Sequence, residues 1–337
     1  MRSGKRGLVL SLVVAVAVVF GAELVVRAAA SRLPEPLVWN DREVQNKVAR
    51  MEALGRNVPG ASAVFVGSSS MNAAADPILT DRLIGAKTRP SFNAALNGAD
   101  LRSLEIWVTR VVLPKLRPQV IVLGTTSLEL NDNGITQADF FRKFTRSEGA
   151  RRVRGGLGPR TRVEAWAEDN SYLARYRTEL RRPGTILKGD AQADRARVGS
   201  QGILASIPQF HSRPYAIPAE FRRRTEQESY HDYTVGGSQL QALERLADTL
   251  ESRGVSLIFV KLPVTKDLIP MHPRGRTDYA RYERTVEGFA EDHEVGVVDA
   301  SAHIGDAGDF VDPIHLNANG MRTFTQLIAP TIRREAG

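Results

Sequence analysis

The chain has 337 residues, 42% hydrophobic and 25% charged, with a formal net charge of +8. That is ordinary globular composition, long enough for one large core or two small ones. With no cysteine, disulfides, thiol catalysis and thiolate-bound metal are excluded.

The N-terminus reads as a targeting segment. Arg2, Lys5 and Arg6 precede an apolar run from Gly7 to Ala22; Glu23 interrupts it, and Leu24-Val25-Val26 resume it before Arg27. Taken to Val26 the run reaches spanning length, and the basic residues before it predict a cytoplasmic N-terminus. Ala28-Ala29-Ala30 has the small-residue pattern of a cleavage site. An uncleaved signal anchor is the preferred reading and a cleaved leader the other. Both place the globular part outside the cytoplasm, and the first makes the chain a single-pass cell-membrane protein.

Beyond this segment (residues 1–30), residues 31–60 are expected to form a linker, with Pro34 and Pro36, and a leading helix from Asp41 to Leu54. A strand follows at Ala63 to Val66, a helix at Pro77 to Ile84 with proline in its first turn, and a short strand at Arg89 to Asn93. Leu101 to Leu113 is apolar at helical spacing, and Gln119 to Leu123 is a continuous apolar strand. The rhythm resumes with a helix at Ser238 to Arg253, a strand at Val255 to Val260, a helix at Tyr279 to His293, a strand at Val295 to Val298 and a closing helix at Asn319 to Ile332. Uninterrupted apolar strands alternating with helices predict an α/β fold, a three-layer α/β/α sandwich on a parallel sheet. The domain is expected to run over 61–337, with 141–233 as a basic insertion or lid. From Phe141 to Tyr230 the chain carries 19 Lys and Arg against 10 Asp and Glu, which accounts for the whole excess of positive charge. This stretch has only weak helical patches, around Val163 to Leu180.

Two short motifs carry the chemistry. Gly67-Ser68-Ser69-Ser70 follows the first strand, where ligand sites of open α/β sheets lie. Asp312-Pro313-Ile314-His315 puts a carboxylate three residues before a histidine. A serine hydroxyl needs a base in hydrogen-bond reach, and a carboxylate fixes the tautomer of that base. An oxyanion hole needs donors aimed at the developing charge. The N–H of the nucleophile and that of Gly98, in Asn93-Ala94-Ala95-Leu96-Asn97-Gly98, are candidates. Ser68 and Ser70 compete with Ser69. The remaining histidines, at 211, 231, 272, 293 and 303, lack a comparable acid; His303 with Asp306 reads as a surface pair, and Asp299 as a residue orienting a loop.

In order, these blocks resemble the SGNH, or GDSL-like, hydrolase superfamily over roughly Ala61 to Leu130 and Gly237 to Pro330. The resemblance implies a flavodoxin-like sheet and the triad Ser69, His315 and Asp312. It also implies an oxyanion hole from Ser69, Gly98 and the third-block residue. That block, Gly124-Thr125-Thr126-Ser127, departs from Gly-x-Asn-Asp: Thr126 stands where the asparagine is expected. The anchor and the Gly-Ser-Ser turn are similar to membrane-anchored proteins of the DltD and alginate-acetylation type. The implied function is an extracytoplasmic serine acyl-esterase or O-acyltransferase acting on acyl esters, acetyl above all, of a cell-envelope glycan. The alternative is a weak or inactive protein of this fold that grips an anionic envelope polymer or assists a membrane acyltransferase. Expected partners are the membrane, through the N-terminal helix, an acylated glycan or envelope polymer, and a membrane-bound O-acyltransferase, but not nucleic acid. No cofactor is implied and no metal-ligand cluster is read.

Overall fold

A computed structural model describes residues 2–33, 37–155, 163, 166–167, 170–181 and 197–337. Pro34 and Pro36 of the expected linker lie outside the described residues, as does most of the stretch from 156 to 169. The chain divides into two compact units, residues 1–38 with 155–192 and residues 39–154 with 193–337. The basic stretch expected at 141–233 is therefore shared between them.

The first unit is built on helix α1 (Arg2–Ala29). Its part Ser11–Ala29, 19 residues of mean hydropathy 2.2, is long and apolar enough to cross a membrane. Leu12, Val16, Val19 and Phe20 on it are exposed, unlike those of a core helix. Glu23, the charge that interrupts the apolar run, accepts from the Ser171 hydroxyl at 2.8 Å and from the N–H groups of Tyr172 and Leu173 at 2.7 and 3.0 Å. It thereby caps the short helix Tyr172–Arg175, whose first N–H groups have no partner within that helix.

The second unit is the α/β sandwich. Helix α2 (Arg42–Asn57) starts at Asp41, whose carboxylate accepts from the Val44 N–H. In chain order follow β1 (Ala63–Gly67), α3 (Ser69–Ala74), α4 (Pro77–Ile84), β2 (Phe92–Asn93), α5 (Leu101–Trp107), β3 (Val120–Thr125), α6 (Ile135–Thr145) and α7 (Ser238–Glu251). Then come β4 (Ser256–Lys261), α8 (Arg276–Asp292), β5 (Val297–Asp299), the hairpin β6 (Phe310–Asp312) with β7 (His315–Leu316), and α9 (Ala318–Glu335). The five-stranded sheet is parallel throughout, ordered β2-β1-β3-β4-β5. The connections turn back at β1 and β3, so the carboxyl ends of these two strands flank the switch point of the sheet.

Side chains alternate across the sheet. Phe65, Val120, Val122, Ile258 and Val260 pack on one face with Phe310, Leu316, Phe324, Ile328 and Ile332. Val64, Val66, Ile121, Leu123 and Phe259 are equally buried and point to the other face, where α5 packs against α7. Burial on both faces is why these strands read as continuous apolar runs. Each such side chain contributes about 1.5–3 kcal/mol.

Two elements differ from expectation. The helix expected over Leu101 to Leu113 ends at Trp107, passes through a π-turn at Val108–Val112 and resumes at Leu113–Leu116. The wide turn comes just before Pro114, which has no N–H to donate and would crowd the carbonyl four residues back. The hairpin β6–β7 was not expected, its strands being too short to show a period.

Candidate active site

The loop after β1 is shaped by a close approach. A β-carbon on Gly67 would lie 2.6 Å from the Gly124 carbonyl oxygen and 2.6 Å from the Met71 β-carbon, so only glycine lets α3 turn back onto β1 and β3. That turn sets three consecutive serines in three different environments. Ser68 is buried and donates to Glu129 Oε1 at 2.5 Å. Ser70 is buried with its hydroxyl unpaired. Ser69, half-buried, stands 2.9 Å from His315 Nε2.

The hairpin brings a histidine to this serine. Its two-residue turn, Pro313-Ile314, brings Asp312 and His315 into register. Both Asp312 oxygens lie 2.8 Å from His315 Nδ1, and Oδ1 also accepts from the N–H groups of Ile314 and His315 at 3.1 and 3.0 Å. Burial alone would raise the Asp312 pKa. The charge and hydrogen bond of His315 and the two N–H groups outweigh it and hold the carboxyl below its usual range. An ionised Asp312 fixes the proton on Nδ1 and leaves Nε2 to accept from Ser69. Phe210 stands edge-on to the imidazole with ring centres 5.4 Å apart.

The relay opens into a cavity of about 380 Å³ lined by Ser69, Gly98, Leu128, Gln137, Phe221 and His315 among others. Gly98 has φ +80, a left-handed conformation that glycine adopts without strain. Among the described residues, the N–H groups of Ser69 and Gly98 have no hydrogen-bond partner. The loop 93–98 is tied down from below. Asn93 donates to the carbonyls of Asn72 and Ala75, Trp107 donates to Ala94, and the buried Lys47 donates to Ala95 at 2.5 Å and to Asn72 Oδ1 at 3.1 Å. Glu43 lies 3.7 Å from Lys47 and accepts from the Asn97 N–H. Burial lowers the Lys47 pKa and raises that of Glu43, each opposed by the charge of the other.

Thr126 is placed differently from its expected role. Its N–H and hydroxyl donate to Glu129 Oε2 at 2.7 and 2.8 Å, and its oxygen accepts from the Leu128 N–H. A hydroxyl has one proton; that of Thr126 is spent on Glu129, and Thr126 does not line the cavity. Burial raises the Glu129 pKa, opposed by the donors from Ser68 and Thr126. Sequence reasoning missed Glu129, Lys47, Glu43 and Gln137. The available signals were a lone acid between Leu128 and Leu130, and a Glu-Lys pair four apart on an otherwise apolar helix face. His303 is exposed, and Asp299 caps the turn at Ser301 while pairing with Lys261 at 2.6 Å. Among the described residues no group of three or more His, Asp and Glu is arranged to hold a metal.

No family model matches the chain, and no curated protein matches it. Solved structures do. A Bacteroides fragilis protein described as an acylhydrolase is similar at 10% identity and TM-score 0.42, over 86% of this chain and 97% of the other. An acetyl xylan esterase, AlAXEase, is similar at 12% identity and TM-score 0.40, over 80% and 98%. A catalytic mutant of Axe2, an acetylxylan esterase from Geobacillus stearothermophilus, is similar at 13% identity and TM-score 0.40, over 82% and 95%.

Proposed function

We propose that the protein is a serine acyl-esterase or O-acyltransferase acting on small acyl esters, acetyl above all. The observation that carries this is the unbroken relay of Ser69, His315 and Asp312 at the mouth of a cavity that also holds two unpaired N–H groups. Ser69 Oγ attacks the ester carbonyl carbon as His315 Nε2 takes its proton. The carbonyl electron pair moves to oxygen, held by the N–H groups of Ser69 and Gly98. Collapse expels the alcohol, which takes the proton back from His315 and leaves an acyl-Ser69. Water, or the hydroxyl of an acceptor, then enters by the same route in reverse. Hydrolysis and transfer differ only in which hydroxyl arrives.

The setting follows from α1. As an uncleaved signal anchor it would hold the sandwich at the outer face of the cell membrane, in reach of an envelope glycan and of a membrane-bound O-acyltransferase. Arg213 lines the cavity with its guanidinium 5.5 Å from the centre of the Phe210 ring, and among the described residues no carboxylate pairs with it. Such a cation supports an anionic glycan as the acyl carrier or acceptor.

A fluorophosphonate probe tests the nucleophile. A single adduct on Ser69 of the full chain, absent from His315→Ala, is the expected result. Folded protein that takes no adduct would favour the second reading, a binding protein for an anionic polymer, which the commitment of Thr126 to Glu129 supports.

A further inference from the structure

With Thr126 spent on Glu129, the oxyanion hole lacks the side-chain amide that its third block is expected to bring. One carboxamide lines the cavity among the described residues, that of Gln137. It lies on α6, a helix outside all the sequence blocks. Gln137 is 6% exposed, its Oε1 is fully buried, and neither end of its amide has a hydrogen-bond partner among the described residues. Buried amides are almost always paired, because an unpaired one costs stability. This one has Oε1 as its buried unpaired end, and its nitrogen is not among the buried unpaired atoms.

Its position is built. A β-carbon on Gly134, at the start of α6, would stand 2.5 Å from Gln137 Oε1, so glycine at 134 makes room for the carboxamide. Phe140, three residues on and hence on the same side of the helix, packs against Gly98, 3.7 Å from where a β-carbon would be. The face of α6 that carries Gln137 is thus the face laid against the loop of the unpaired Gly98 N–H. Thr136, beside it, is held by Glu228 at 3.3 Å and does not compete for the same place.

We infer that Gln137 is a catalytic residue. Its Nε2–H donates to the carbonyl oxygen of the bound acyl group, strengthening as that oxygen becomes an oxyanion and completing the hole with Ser69 and Gly98. The inference rests on the acyl-transfer reading of Ser69. The amide is supplied from a helix beside the cavity in place of the third strand-end block.

The test is the steady-state hydrolysis of 4-nitrophenyl acetate by the full chain in detergent micelles, with Gln137→Met, Gln137→Glu and Ser69→Ala. An oxyanion donor acts on the transition state, so Gln137→Met and Gln137→Glu should lower kcat on the order of 10²-fold and leave KM within about threefold. Fluorophosphonate labelling of Ser69 should slow with them, since the phosphonyl oxygen uses the same donors. The thermal midpoint of Gln137→Met should hold or rise, because the variant buries no unpaired oxygen; a purely structural glutamine would lower it. Gln137→Glu keeps the shape should the methionine variant fail to fold. A kcat within threefold of the parent in either folded variant, or a loss confined to KM, overturns the assignment while Ser69→Ala is inactive. If Ser69→Ala turns over like the parent, the acyl-transfer reading itself falls and takes this assignment with it.

Discussion

Two serine–histidine pairs stand in this chain at the same separation. Ser69 Oγ is 2.9 Å from His315 Nε2, and Ser127 Oγ is 2.9 Å from His272 Nε2. Everything around them differs. The far nitrogen of His315 meets a carboxylate, whereas that of His272 meets the carbonyl of Ile269 at 3.1 Å. Ser69 faces a cavity; Ser127 is 0% exposed and shares its hydroxyl with Tyr230 at 2.7 Å. Tyr230 also stacks on His272 with ring centres 3.8 Å apart. Burial drives the His272 pKa down to about 4, so that imidazole is kept neutral, a buried hydrogen-bond partner with no charge to share. A short Ser–His contact is therefore common to a site and to a core. Access, a carboxylate behind the base, and unpaired donors in front of the nucleophile separate the two.

Variants can break this contrast. Ser69→Ala and His315→Ala should each cost ester turnover at least on the order of 10³-fold, and the double variant little more, since the pair acts as a unit. Equal activity in Ser69→Ala would erase the distinction. Asp312→Asn keeps the shape but not the charge, and should lower kcat on the order of 10²–10⁴-fold without moving the thermal midpoint far.

The buried pair should speak through stability. His272 binds a proton near pH 6.5 when unfolded and only near pH 4 when folded. The unfolded chain binds more protons between those values, so stability is full above pH 6.5 and is lost as pH falls toward 4, by up to about 3 kcal/mol. Denaturant unfolding at pH 7 and pH 4.5 measures it, and His272→Phe should flatten the slope. Ser127→Ala leaves His272 Nε2 without its donor and should cost about 1–3 kcal/mol with turnover unchanged. The smallest effect on turnover is expected from Thr126→Val. It removes two hydrogen bonds, that to Glu129 and that from the Leu128 N–H, about 1 kcal/mol each, and should leave kcat within a few-fold. A large loss of kcat there would return Thr126 to the oxyanion hole.

Much of the sandwich was legible because its signals are local. A parallel strand buried on both faces is an apolar run, which made β1, β3 and β4 readable, as were Asp41 and Pro77 at helix starts. The pair Asp312–His315 was legible for the same reason, since a short turn holds acid and base together. What stayed hidden is held by tertiary contact. Lys47 carries no signal on a helix marked by Val44, Val48 and Leu54, yet it is wholly buried, with Glu43, Asn72 and the Ala95 carbonyl around it. Gln137 and Glu129 carry no motif; their meaning comes from a cavity whose walls lie far apart in the chain.

Glu23 has a bearing on how the chain matures. A peptidase cutting at Ala28-Ala29-Ala30 would carry away the one carboxylate that receives Ser171, Tyr172 and Leu173. The leader is then also a folding partner of residues 170–181, and export with cleavage would release a different protein from export without it.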